Sequence, residues 1–231
     1  MTIDKRVIND QEYQDAAKFT FIYVIVSVVI EIILGLFLAF LFNRRIYGRG
    51  FMRSLMILPI FATPFAIGFM FFTILFEISG PLAWMGIPFL SNHNWAPFSV
   101  MLVDIWQWTP FCFLVFLAAL QGIPDDLIEA ATLDTKSAYK IWTSVILPLL
   151  QPIIVLVILL RVAESAKLYD YIASLTKGGP GTATQSVSFL VFNKAFKMND
   201  FGYASAGSFL MLIVVMVFVM LFFTRLRKTY E

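Results

Sequence analysis

Hydrophobic residues in this chain of 231 residues fall into five long runs, separated by polar or Gly/Pro-rich breaks. Roughly 20 consecutive apolar residues carry a helix across a bilayer. The runs therefore predict helices over about residues 19–42, 54–76, 98–120, 147–171 and 202–224. A polar tail, 1–18, precedes the first of them. It does not read as a signal peptide, because the apolar run behind it is too long and no small-residue cleavage site follows. Short alternating segments of the β-barrel kind are absent. The predicted fold class is all-α and polytopic, a single membrane domain over 19–228 with about five transmembrane helices.

The breaks set a topology. The first, NRRIYGRGFMR, holds Arg44, Arg45, Arg49 and Arg53 and no acid. Such loops stay on the cytoplasmic side. Residues 77–97 hold no lysine or arginine but carry Trp84 and Trp95, the pattern of an external loop with interfacial aromatics. By parity, 122–148 and the C-terminus, with Arg225, Arg227 and Lys228, are cytoplasmic. Parity also puts the 176–201 loop and the N-terminus outside. Pro59 and Pro64 interrupt the second run, and the backbone groups they free need other partners.

Composition narrows the function. The chain is 60% hydrophobic and 14% charged, against about 25% charged for a soluble domain. A net charge of +2 is too small to argue for nucleic acid. Cys112 is the single cysteine, so no internal disulfide forms. HExxH, CxxC, GxSxG and a phosphate loop ending in GK[ST] are all missing. His93 is the only histidine, and no cluster has metal-ligand spacing. The chain does not read as an enzyme, and if ATP drives it, another chain binds the nucleotide.

Two polar features stand out. The first is GIPDDLIEAATLDTKSAYKIWTSVILPLLQP, from Gly122 to Pro152. Pro124 suits a first helical turn, and Asp125, Asp126 and Glu129 then place negative charge near the positive end of the helix dipole. Read from its residues, this is either a solvated loop with an interfacial helix or a docking surface for a soluble partner. The second is the outer half of the fourth run, with Arg161, Glu164, Lys167, Tyr169 and Asp170. Arg161, Glu164 and Lys167 recur every three residues, so neighbours meet on one helical face. They form either an ion-pair ladder or a polar translocation path, because ionisable groups within a span face a bundle interior or a water-filled cavity. Glu31 and Asp104 are single acids and read as packing against a polar helix.

The first feature resembles the EAA loop of permease subunits in binding-protein-dependent ABC importers. Glu129, Ala130, Ala131 and Asp134 are followed at the family's spacing by Ile146, Leu147 and Pro148. Further motifs appear in family order. They are Arg53 with Pro59 and Pro64, WQWTPF at Trp106 to Phe111, and Ile123-Pro124. RVAESAKLYDYIASLTKGGPGTAT (Arg161 to Thr184) and AFKMNDFGYASAGSFL (Ala195 to Leu210) are similar to the carbohydrate-uptake branch. The resemblance implies a type I importer transmembrane domain that translocates a sugar, polyol or related polar solute across the cytoplasmic membrane. It implies a coupling loop over 122–148 in which Glu129, Ala130, Ala131, Asp134, Thr135, Leu147 and Pro148 contact an ATPase subunit. Arg161, Glu164, Lys167, Tyr169 and Asp170 are the candidate solute path. The implied partners are a second permease chain as a heterodimer, two ATPase subunits, a solute-binding protein and membrane lipid. ATP–Mg belongs to the ATPase, and this chain binds no cofactor. An ion-coupled secondary transporter, using acids such as Glu31 and Glu164, is the alternative.

Two departures from the family pattern carry expectations. Thr135 stands where the family has glycine. A β-branched residue at positive φ is strained, so either the turn is built differently or coupling is less tight. On that reading Thr135→Gly preserves or raises transport-coupled ATP hydrolysis. Members of the branch also carry one more helix ahead of the first span, so a shortened chain is expected, consistent with the external N-terminus.

Overall fold

A computed structural model describes residues 3–43 and 48–230. Arg44 and Arg45 of the basic loop lie outside the described residues, as do the side chains of Arg49, Arg225, Arg227 and Lys228. The elements are α1 (Ile3–Ile8), α2 (Gln11–Asn43), α3 (Arg49–Phe61), α4 (Pro64–Leu75), α5 (Trp95–Gln121), α6 (Asp125–Asp134), α7 (Ala138–Ile141), α8 (Leu147–Ser165), α9 (Val187–Phe196) and α10 (Phe201–Tyr230). Among the described residues no strand forms. Among the described residues four helices are long and apolar enough to cross a membrane, or five if α3 and α4 count as one span.

The helix α2 shows how a bilayer inverts the usual amphipathic pattern. Its buried stripe is Ala16, Thr20, Tyr23, Ser27, Glu31, Gly35 and Ala39, recurring every three or four residues. That stripe is small or polar. The opposite face, with Phe21, Ile25, Val29, Ile33 and Phe37, is apolar and exposed, as suits contact with lipid. The small residues let α5 approach closely. A Cβ built on Gly35 would lie 2.6 Å from Cys112 Cβ and 3.0 Å from the Cys112 and Phe113 backbone. Below this contact Val28, Ile32 and Phe42 join Phe113, Phe116 and Leu120 of α5 and Leu150 and Val157 of α8 in the main apolar core.

Several expected boundaries move. The polar 1–18 segment is largely helical: α1 and the first turns of α2 fall in it, with Asp10 Oδ1 accepting from the Glu12 amide at 3.0 Å to cap α2. It is also docked. Tyr203 donates to Asp10 at 2.6 Å, Lys194 pairs with Glu12 at 2.6 Å, and Tyr13 donates to the Gly207 carbonyl at 3.0 Å. The expected single span 54–76 is two helices, α3 and α4, bent by 100° at Ala62 and Thr63. Thr63 precedes Pro64, and a residue before proline is pushed out of the helical region. Thr63 adopts φ −67°, ψ 144°, and Pro64 then starts α4.

The expected fourth helix 147–171 is shifted. It begins earlier, as α7, a π-turn at Trp142–Ile146 and α8 form one continuous helix over Ala138–Ser165. It stops at Ser165, because Ser186 and Ser188 hydrogen-bond the Leu168 and Ala166 carbonyls that a longer helix would use. Within the expected 176–201 loop sits α9, started by Ser186, whose Oγ accepts from the Phe189 amide at 3.1 Å. The loop's GGPG turn is closed by Thr184, which donates to the Gly179 carbonyl at 2.8 Å. Thus residues 3–18 and 176–201 gather at one end of the bundle. At the other, Trp142 meets Phe40 edge-on, 5.4 Å between ring centroids.

The loop after α4 is held by one carboxylate. Glu77 accepts from the Leu90 and Ser91 amides, both at 2.7 Å, and from the Ser91 hydroxyl at 2.6 Å. Burial works to raise its pKa, but these three hydrogen bonds outweigh it and hold Glu77 below its usual 4.5. A depressed folded pKa stabilises above the unfolded value, and that stability is lost as pH falls through the folded value. Protection of the Leu90 and Ser91 amides from exchange, taken relative to the intrinsic rate at each pH, is therefore expected to be high at neutral pH and to fall below pH 4.5. Glu77→Gln should flatten that dependence; protection already independent of pH in the wild type would contradict the clamp.

Candidate functional site

Two places carry the polar chemistry, one at each end of the helix formed by α7 and α8. The first is the exposed segment that leads into it. Asp125 and Asp126 open α6, directly after Pro124. Glu129, Ala130 and Asp134 are exposed on α6, Ala131 is buried, and Leu147 and Pro148 are exposed at the start of α8. Thr135 ends α6 at φ −151°, ψ 138°. This is extended backbone that suits a β-branched residue. Its Oγ1 accepts from the Ser137 amide at 3.3 Å. The turn is thus built without positive φ, and the reason for expecting glycine to preserve or raise activity disappears. The segment also displays two large apolar side chains, Leu133 (90% exposed) and Tyr139 (79%).

The second place is a cleft of about 210 Å³ at the far end of α8, which gathers all five candidate solute-path residues. They are not equivalent. Glu164 and Lys167 are exposed and pair at 2.8 Å, as their spacing predicts. Tyr169 and Asp170 lie beyond the helix end. Arg161 does not join them in a ladder. It is 1% exposed and turns inward. Its Nε donates to Glu31 Oε2 at 2.6 Å and its Nη2 to Glu31 Oε1 at 2.9 Å. The same Nη2 reaches the Asp104 oxygens at 3.3 and 3.4 Å and Ser165 Oγ at 3.0 Å. The guanidinium stacks on Trp108, with Cζ 4.5 Å from the ring centroid.

Glu31 and Asp104 are therefore the two carboxylates of one buried triad. The polar helix each was expected to pack against is α8. A hydrogen-bonded chain extends from it. Trp108 Nε1 donates to the Tyr171 hydroxyl at 3.1 Å, Tyr171 donates to Gln107 Oε1 at 2.8 Å, and Gln107 Nε2 donates to the Ala62 carbonyl at 2.9 Å. That carbonyl belongs to the break between α3 and α4, so α5 supplies a partner the bilayer cannot. A larger groove, about 630 Å³, runs between α9 and α10. Its walls are mostly apolar, with Phe192, Phe196 and Met211, and carry Lys167, Ser188, Ser205 and Ser208 as their polar groups.

The structure is thus a broken-span helical bundle with a polar cleft at one end and an exposed, charged segment at the other. The chain belongs to the family of binding-protein-dependent transport system inner membrane components, whose pattern matches residues 31–231. It is 36% identical over 225 residues to the trehalose/maltose transport system permease protein MalF of Thermococcus litoralis, spanning 94% of this chain and 76% of that one. It is 30% identical to the multiple sugar-binding transport system permease protein MsmF of Streptococcus mutans, over 98% of this chain and 80% of that one. Among solved structures it is similar to a chain of a bacterial alginate ABC transporter in complex with an alginate pentasaccharide-bound periplasmic protein. The TM-score is 0.86 at 21% identity, over 98% of this chain and 82% of that one, and this likeness concerns the fold. The chain is an ABC importer permease subunit, and none of these matches supports the ion-coupled alternative.

Proposed function

We propose that this chain is the permease subunit through which an ATP-driven importer moves a sugar, polyol or related polar solute across the cytoplasmic membrane. The observation that carries the reading is one continuous 28-residue helix, Ala138–Ser165, with an exposed docking segment at its start and a polar cleft at its end. The sugar-transport names of the relatives support the solute class. Glu129, Ala130, Ala131, Asp134, Thr135, Leu147 and Pro148 form the surface that meets one of two ATPase subunits, which hold the ATP–Mg. Leu133 and Tyr139 supply its apolar contacts. This end and the C-terminus face the cytoplasm, and the end that gathers 3–18 and 176–201 faces the solute-binding protein.

Glu164, Lys167, Tyr169 and Asp170 offer donors, acceptors and an aromatic face to a hydroxyl-rich solute. A cleft of about 210 Å³ is smaller than the roughly 300–1,000 Å³ of complete ligand pockets. A second permease chain completes it.

Glu129→Lys tests the docking role. Reversing a charge at an interface costs affinity, and uptake and binding-protein-stimulated ATP hydrolysis are both expected to fall at least roughly tenfold, equivalent to about 1.4 kcal/mol. Copurification of the ATPase with this chain should weaken in parallel. If all three survive unchanged, the docking role is wrong.

A further inference from the structure

We propose that Arg161 is a positioning residue rather than a solute ligand: it locks α2, α5 and α8 into one rigid body, so that movement at the docking segment arrives intact at the cleft. The proposal rests on the reading of α6 and α7 as the docking segment.

The geometry places Arg161 at the working end of a lever. The helix Ala138–Ser165 is 28 residues long, about 40 Å at 1.5 Å per residue. Arg161 sits four residues from its end, and there it grips two other helices. Glu31 of α2 takes a bidentate pair at 2.6 and 2.9 Å, and Asp104 of α5 takes the remaining Nη2 contacts. A bidentate guanidinium–carboxylate pair fixes orientation as well as distance. The donors on Nε and Nη2 are thereby used within the protein, although the residue forms part of the cleft floor.

Stability does not account for such a cluster. A buried ion triad is often no more stable than well-packed apolar residues of the same volume, and its best-attested role is to fix register. Along most of its length α8 meets α2 and α5 through apolar side chains such as Leu150 and Val157. Apolar contacts alone tolerate small sliding; a forked charge pair to α2 together with a charge contact to α5 does not.

The cluster also reaches two other segments beside the cleft. Trp108, under the guanidinium, bonds Tyr171, in the segment that follows α8. Through Gln107 the chain of bonds ends on Ala62, at the 100° break between α3 and α4. Pro64, which starts α4 after that break, lines the cleft with Tyr171. A displacement of Arg161 is thus felt at both walls.

The test uses the whole transporter in proteoliposomes, with a triple variant, Glu31→Met, Asp104→Leu and Arg161→Met. It should assemble and copurify with the ATPase, while solute imported per ATP hydrolysed falls roughly tenfold, within the 5–150-fold range of coupling effects. A spin-label pair at Ile33 and Leu160, both exposed, reads the rigid body directly. Its distance should stay constant between nucleotide-free and ATP-bound states in the wild-type background and change in the triple variant. An unaltered transport-to-hydrolysis ratio in an assembled triple variant overturns the proposal. If the triple variant does not accumulate, Arg161→Lys decides. Lysine keeps the charge but loses the fork, so a lowered ratio supports the proposal and a wild-type ratio overturns it. Failure of the docking reading shows up separately, as Glu129→Lys leaving copurification intact.

Discussion

Replacing Arg161 by alanine is expected to keep the chain from accumulating in the membrane. Arg161, Glu31 and Asp104 are all at most 2% exposed, and one guanidinium serves both carboxylates. Alanine leaves those carboxylates buried with no counter-charge. Breaking a buried pair in this way costs about 3–5 kcal/mol, a large share of the roughly 5–15 kcal/mol that holds a folded domain together. The stack on Trp108 and the bond to Ser165 are lost as well. Membrane abundance and the melting temperature of the detergent-solubilised complex measure the effect. The triple apolar variant supplies the contrast, since it removes all three charges and should recover most of the lost stability. If Arg161→Ala melts with the wild type, the carboxylates have found other partners and the triad is not the fixed unit described above.

The sequence pattern located the membrane helices well where composition alone decides. Trp95–Gln121 covers the run 98–120 with three extra residues at the start and one at the end. Long-range contacts decided the rest. Pro59 and Pro64 signalled an interrupted second span, but proline spacing does not give the 100° bend, nor the bond that Gln107 of α5, 45 residues away, donates to the Ala62 carbonyl at the break. The end of α8 was hidden because Ala166, Lys167 and Leu168 are good helix formers, and the hydroxyls that stop the helix come from residues 18 and 22 positions later. The ten residues of α9 are too few to signal a span.

The candidate site divides in the same way. A local rule, i to i+3, found Glu164 with Lys167. The same rule placed Arg161 in that ladder, where it does not belong, because its true partners are 130 and 57 residues away in the chain. Their only signal was two isolated acids and one arginine in apolar runs. Charges in a bilayer seek one another, and that principle could have paired them. At Thr135 the sequence left two alternatives open, and the extended backbone there matches the first, a turn built differently from the family's glycine turn.

Replacing Gly35 by leucine is expected to be nearly as damaging as removing Arg161, by a steric route that ends at the same cluster. The α2–α5 pair is the most extensive helix contact among the described residues, and Gly35 lies within it against Cys112. Even the first added carbon would sit 2.6 Å from Cys112 Cβ and 3.0 Å from α5 backbone. Backbone cannot swing aside as a flexible side chain can. Overpacking a close-packed site typically costs about 1–3 kcal/mol and occasionally more. Here the cost does not stay local, because Glu31 is one helical turn from Gly35 on the same buried face. Pushing α2 off α5 therefore lengthens the Arg161–Glu31 fork. Gly35→Ala should lower the melting temperature and Gly35→Leu should prevent accumulation. Cys112→Gly should rescue Gly35→Ala in part, since it removes the nearest atom but not the backbone behind it, and residues in contact are not additive. A Gly35→Leu protein that melts with the wild type would mean that α2 and α5 can separate without disturbing the triad, and the rigid-body account would then lose its physical basis.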